Sequence, residues 1–244
     1  LSLLKFLEES INKVVGKNCR VFCDLFAGTG IVGSYFKKKG YSIIANDIQY
    51  YSFVLNKHYI ENHQNLQFKG LKDILPELEK IKIGEKKNFV CNYLSNLPGV
   101  AGFIYNNYCF GGKDNKEFSR QYFSDDNGKR CDAIRTKIEK CKKGKLINNN
   151  EYYFLLASLI EAVDKHANTA SVYGAFLKQL KKTAQAPFIL KPAEVILNDQ
   201  EHQVYNQDIN ELVSKIEGDI LYLDPPYNHR QYATNYHVLE TIAK

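Results

Sequence analysis

Late in the 244-residue sequence stand four residues, Asp224-Pro225-Pro226-Tyr227, whose types and order suit the chemistry of an aromatic amine. Two consecutive prolines cannot continue a helix and fix the backbone, so the Pro225 carbonyl is held as an acceptor. Asp224 places a carboxylate beside it. Two adjacent acceptors match the two hydrogens of an exocyclic amino group, and Tyr227 offers a ring to stack on a planar base. A proline turn with a solvated aspartate would show the same four letters. The position just after the apolar run Asp219-Ile220-Leu221-Tyr222-Leu223 is what marks it as a site.

A second cluster lies near the start, Asp24-Leu25-Phe26-Ala27-Gly28-Thr29-Gly30. Strand ends in a parallel sheet face the ligand crevice, and Gly28 and Gly30 there let the backbone approach a ligand closely. Asp47 closes the next apolar run, where a carboxylate can accept both hydroxyls of a ribose. The spacing Gly28-x-Gly30-x-x-Gly33 also satisfies a dinucleotide fingerprint, which makes an NAD-dependent oxidoreductase a rival. Asp24 would repel a pyrophosphate, however, and that rival leaves Asp224 to Tyr227 without a role.

The elements that must position these residues alternate at both ends of the chain. Apolar spacing predicts a helix over 3–15, a buried strand over 20–25, a helix over 31–39 stopped by Gly40, a strand over 41–45 and a helix over 50–62. After 192 the alternation resumes: a strand over 202–205, a helix over 209–216, a strand over 219–223, and a helix from 238. The middle reads differently. Residues 88–112, rich in Asn, Gly and Tyr, predict an irregular loop region. A basic helix is expected over 125–143, and another over 150–165 with Asn149 or Asn150 as its N-cap. The fold class is therefore α/β, a Rossmann-like parallel sheet with helices on both faces. A mostly helical basic insert interrupts it, with the sheet carried by 1–65 and 192–244 and the insert by 66–191.

Charge separates the two parts. The sequence carries 33 Lys+Arg against 27 Asp+Glu, a net charge of +6. Residues 113–145 hold eleven basic against six acidic residues, and 165–191 hold five basic and none acidic. The sheet segments are thus acidic on balance and the insert is strongly basic. A content of 44% hydrophobic and 25% charged residues excludes a disordered tail or a coiled-coil rod. No apolar run is long enough to span a membrane, and the first residues do not read as a signal peptide. The six cysteines form no C-x-x-C pair, so no zinc site is expected and reduced thiols in the cytoplasm are. The histidines form no metal or nucleophile signature.

With these motifs in this order the sequence resembles the amino-group DNA methyltransferases, specifically the Dam-like alpha group that modifies adenine. The resemblance implies a class I methyltransferase fold that binds S-adenosylmethionine through Asp24, Phe26, Gly28 and Gly30. Asp47 would hold the ribose, Ile48 would lie against the cofactor's adenine, and Asp208, with Ile209 beside it, would meet that ring's amine. Asp224, Pro225, Pro226 and Tyr227 would carry catalysis. The insert would recognise duplex DNA: Lys129, Arg130, Arg135, Lys137, Lys178, Lys181 and Lys182 on phosphates, with Arg120 and Arg135 equally suited to guanine edges. A restriction endonuclease is the expected partner and a prokaryotic cytoplasm the expected compartment. The family also implies a short Gly-Ser-Lys element before Leu1 and about three strands after Lys244, so the catalytic domain would be truncated at both ends. Alternatives are an RNA base or the cytosine amine as target, and a non-catalytic nucleic-acid-binding subunit that kept the fold.

Overall fold

The computed structural model describes residues 2–16, 18–226 and 232–244. The chain divides into two compact units, Leu1–Gln64 with Glu194–Asn228, and Asn65–Ala193 with His229–Lys244. None of the described helices is long and apolar enough to cross a membrane.

The first unit is built on a parallel sheet of β1 (Val21–Asp24), β2 (Ser42–Asn46), β3 (Gln203–Tyr205) and β4 (Ile220–Tyr222), in the order β3-β2-β1-β4. Asp24 pairs in register with Ala45 on one side and Tyr222 on the other. The helices α1 (Ser2–Val14), α2 (Ile31–Lys38) and α3 (Tyr50–Asn56) belong to this unit, and one π turn, Lys57–Glu61, continues α3. Alternate residues of β1 and β2 feed two cores. Phe22 stacks on Phe36 of α2 with ring centroids 4.2 Å apart, and Ile43, Ile60 and Ile220 join them. Cys23, Leu25 and Ile44 instead pack against Leu212, on the one-turn helix Ile209–Leu212. Burying each such side chain contributes roughly 1.5–3 kcal/mol. The buried Lys37 ammonium caps the end of the π turn, donating to the carbonyls of Tyr59, Ile60 and Asn62 at 3.0, 2.8 and 2.7 Å. His202 is likewise structural: its Nδ1 accepts the Ile43 N–H at 3.1 Å, and burial pulls its pKa down to about 3.

The second unit is mainly helical: α4 (Lys86–Ser95), α5 (Phe103–Tyr108), α6 (Asp125–Lys143) and α7 (Asn149–His166). α7 is buried on nearly all sides, with Phe154, Leu156, Leu159 and Val163 fully enclosed. Its start is fixed by a capping box: Asn148 accepts the Glu151 N–H, and the Glu151 side chain accepts the Asn148 N–H. The cap is thus one residue before the expected Asn149. α6 spans the predicted residues and is capped by Ser124.

Other expectations are corrected. Residues 88–112 are not irregular, because they contain most of α4 and all of α5. Val90, Cys91 and Leu94 bury one face of α4. The start of α5 is satisfied by Asp132, whose carboxylate accepts the N–H groups of Gly102, Ile104 and Tyr105 at 2.8–3.0 Å. A cap that distant in sequence cannot be read from local composition. The helix expected over 209–216 ends at Leu212, and the last helix spans Tyr232–Ala243, starting before residue 238. That last helix clusters with the second unit, burying Val238, Leu239, Ile242 and Ala243, although the sequence places 192–244 wholly with the sheet.

Candidate active site

The carboxyl ends of β1, β2 and β4 bring the acidic motifs together, at the place where strand order reverses and open α/β sheets bind ligands. At β1 the chain turns through Gly28 (φ 51°) and Gly30 (φ 77°) into α2. An alanine at residue 30 would set its Cβ 2.7 Å from the Asn56 Oδ1. Asn56 is itself buried and donates to the Gly28 carbonyl at 3.0 Å, so it fixes the turn from below.

Asp47, just past β2, is not merely solvated. Its carboxylate accepts the Gly28 N–H and the Gln49 N–H, each at 2.8 Å. Ile48 beside it is 70% exposed, an apolar side chain presented at the strand end. Phe26 is half-buried in the turn. Asp208 is exposed and caps the helix Ile209–Leu212, accepting the Asn210 N–H at 2.8 Å; Ile209 packs partly against the core of Cys23, Leu25, Ile44 and Leu212.

Asp24 is 1% exposed, and its Oδ1 has no hydrogen-bond partner among the described residues. Burial, then the carboxylates of Asp47 and Asp224, push its pKa up to about 7. Asp224, Pro225 and Pro226 follow β4 and are exposed. Tyr227 lies outside the described residues. Three carboxylates share one neighbourhood, one of them buried and short of a donor, an arrangement that suits a ligand bringing positive charge and N–H or O–H groups.

Asn46 and Asn206 have no place in the sequence expectations. Asn46, 2% exposed, donates to the Leu25 and Gln207 carbonyls and accepts the Gln207 N–H, which ties the ends of β1, β2 and β3. Asn206 donates to the carbonyls of Asp47 and Ile48 at 2.7 and 3.0 Å. An asparagine at a strand end is the only trace such roles leave in sequence.

In the second unit the basic candidates separate. Arg130 donates to the Ser95 and Leu97 carbonyls at 2.7 and 2.6 Å. Arg135 donates to the carbonyls of Ile242 and Lys244 and pairs with Glu139. Both guanidiniums thus make bonds that hold backbone carbonyls of the second unit. Arg120 lies over the Phe118 ring at 4.4 Å, Lys129 over Tyr105 at 4.5 Å and Lys137 over Tyr93 at 5.7 Å. The Lys181 ammonium donates to the Thr169 carbonyl at 3.0 Å, whereas Lys178 and Lys182 are exposed.

Known proteins resemble this chain along its whole length. Residues 1–244 match the family described as D12 class N6 adenine-specific DNA methyltransferase. The chain is 50% identical over 245 residues to the Type II methyltransferase M.NlaIII of Neisseria lactamica, covering all of this chain and 67% of that protein. It is 40% identical over 243 residues to the Type II methyltransferase M.FokI of Planomicrobium okeanokoites, covering all of this chain and 36% of that protein. It is 39% identical over 247 residues to the modification methylase StsI of Streptococcus sanguinis, covering 98% of this chain and 35% of that protein. The chain therefore spans only part of each of these relatives. No solved structure is a significant match.

Proposed function

The chain belongs to the D12 class of N6 adenine-specific DNA methyltransferases, and from that premise we propose its reaction and the residues that carry it. It transfers a methyl group from S-adenosylmethionine to the N6 amino group of an adenine flipped out of a specific duplex DNA sequence. It serves as the modification enzyme beside a restriction endonuclease. The observation that carries this reading is the meeting of Asp24, Asp47 and Asp224 beside the Gly28–Gly30 turn, with one buried Asp24 oxygen lacking a donor. That environment fits a cationic, amine-bearing cofactor and is hostile to the pyrophosphate of a dinucleotide. When bound, S-adenosylmethionine supplies an electrophilic methyl group on a positively charged sulfur.

The chain's own part is to hold and activate the amine. Asp47, held by the Gly28 and Gln49 N–H groups, accepts the hydroxyls of a ribose. Asp224 and the Pro225 carbonyl accept the two amine hydrogens, which draws the nitrogen toward tetrahedral geometry and frees its lone pair. The same acceptors stabilise positive charge as it develops on that nitrogen. Removing the base from the duplex costs a few kcal/mol, offset in part by stacking on Tyr227, a role assigned on sequence alone. The second unit holds the duplex, with Lys178 and Lys182 as phosphate contacts. No covalent enzyme intermediate is needed. The buried Cys91 thiol, pushed up to about 12 by burial, is unsuited to attack in any case.

Labelled methyl transfer to unmethylated DNA, followed by nucleoside analysis, tests the reading. Label in N6-methyladenine is expected; label in a cytosine product, in RNA only, or in neither overturns it.

A further inference from the structure

The second unit contains a cleft of about 860 Å³ between the end of α4, the start of α6 and residues 185–189. Three of its lining residues, Ser95, Asn127 and Arg130, also brace its walls. Arg130 holds the backbone at the end of α4 through the Ser95 and Leu97 carbonyls. Asn127 donates to the Ala184 and Ala186 carbonyls at 2.8 and 3.0 Å, and the Ser95 hydroxyl accepts the Leu190 N–H at 2.9 Å. The arginine that sequence spacing suggests as a phosphate contact is instead part of the frame of this cleft.

What the frame presents is mostly neutral and polar. Asn92 and Asn96 stand one helical turn apart, and the Asn96 Nδ2 donates to the Asn92 carbonyl at 2.9 Å and to the Asn92 Oδ1 at 3.4 Å. This pairing orients both amides. It leaves the Asn92 Nδ2 as a donor and the Asn96 Oδ1 as an acceptor, neither with a partner among the described residues. Lys129, held over the Tyr105 ring, lines the same cleft, as do Gln185 and the half-exposed Ile189. The exposed Asp126 carboxylate lies there too and would repel a phosphate.

We infer that this cleft reads base edges of the DNA target, with Asn92 and Asn96 as its specificity-determining pair. The inference rests on the methyltransferase reading above and names the residues that would set its sequence preference. A donor beside an acceptor complements the major-groove edge of adenine, N7 with the N6 amine, while a lysine complements the N7 and O6 of guanine and an exposed isoleucine can meet a thymine methyl. A phosphate needs none of this variety.

The test uses the full chain, S-adenosylmethionine and unmethylated genomic DNA, with methylated adenines mapped to give a sequence motif. The wild-type protein defines that motif. Asn92→Ala and Asn96→Ala should each relax it at one or two positions, lowering discrimination there roughly tenfold or more. Asn92→Asp, similar in shape but with the presented Nδ2 donor replaced by an acceptor, should change which base is preferred at the same position. An unchanged motif in all three variants overturns the inference, as does an equal loss of methylation at every site. An inactive wild-type protein counts against the methyltransferase reading instead, so the two failures are distinct.

Discussion

The carboxylate of Asp47 accepts the backbone N–H of Gly28 at 2.8 Å, so the acid ending β2 also shapes the glycine turn ending β1. If Asp47 holds a ribose as proposed, that binding and the turn geometry are coupled in one side chain. Replacing Asp47 by Ala should weaken S-adenosylmethionine binding at least tenfold, since a hydrogen bond to a charged group contributes about 1.5–3 kcal/mol. Asp47→Asn, which keeps an acceptor, should lose less. Calorimetry on both variants checks this, and equal wild-type affinity in Asp47→Ala would contradict it.

Asp24 should leave a signature in the pH dependence of stability. Its ordinary value of 3.8 is raised to about 7 in the folded chain. Between these values the folded state holds a proton that the unfolded state has lost, so this group's contribution to stability falls as pH rises from about 4 to 7. At about 1.4 kcal/mol per unit, the full effect is on the order of 4 kcal/mol. Asp24→Asn removes the titration. Denaturant unfolding of both proteins at pH 5 and pH 8 should show the variant gaining relative to wild type on going to pH 8.

The two turn glycines should respond differently to alanine. Nothing crowds a Cβ at residue 28, so Gly28→Ala meets only the cost of its positive φ, about 1 kcal/mol. Gly30→Ala adds a clash with Asn56 and should lower stability by about 1–3 kcal/mol further, read as a lower melting temperature. Similar melting for the two variants would refute the close approach of Asn56.

The basic residues divide into those that hold the fold and those that can meet DNA. Lys178→Ala and Lys182→Ala should each reduce the slope of log affinity against log salt by about one, with little change in melting. Arg130→Ala should do the reverse, because it releases the Ser95 and Leu97 carbonyls. Binding titrations at several salt concentrations, alongside thermal melts, separate the classes.

What was legible in the sequence was local. Asp24 to Gly30 and Asp219 to Pro226 are short strands joined to turns whose residue types fix their geometry, and the structure gives the expected parallel pairing around them. The helix over 125–143 was legible because its cap and its apolar spacing lie within one stretch. What was hidden was tertiary. Nothing near Phe103 announces that Asp132 will cap it, and nothing near Arg135 announces that carbonyls of Ile242 and Lys244 will occupy its guanidinium. A polar residue's sequence neighbours say little about which distant backbone groups it must satisfy.

The last helix, Tyr232–Ala243, bears on how specificity could be transplanted between relatives. It clusters with the second unit, and Arg135 of α6 anchors its end through the Ile242 and Lys244 carbonyls. A chimaera that swaps only residues 65–193 would face Val238, Leu239 and Ile242 with a foreign surface and remove the Arg135 guanidinium from the Ile242 and Lys244 carbonyls. The modular piece is discontinuous, and a graft that works must carry two segments of the chain.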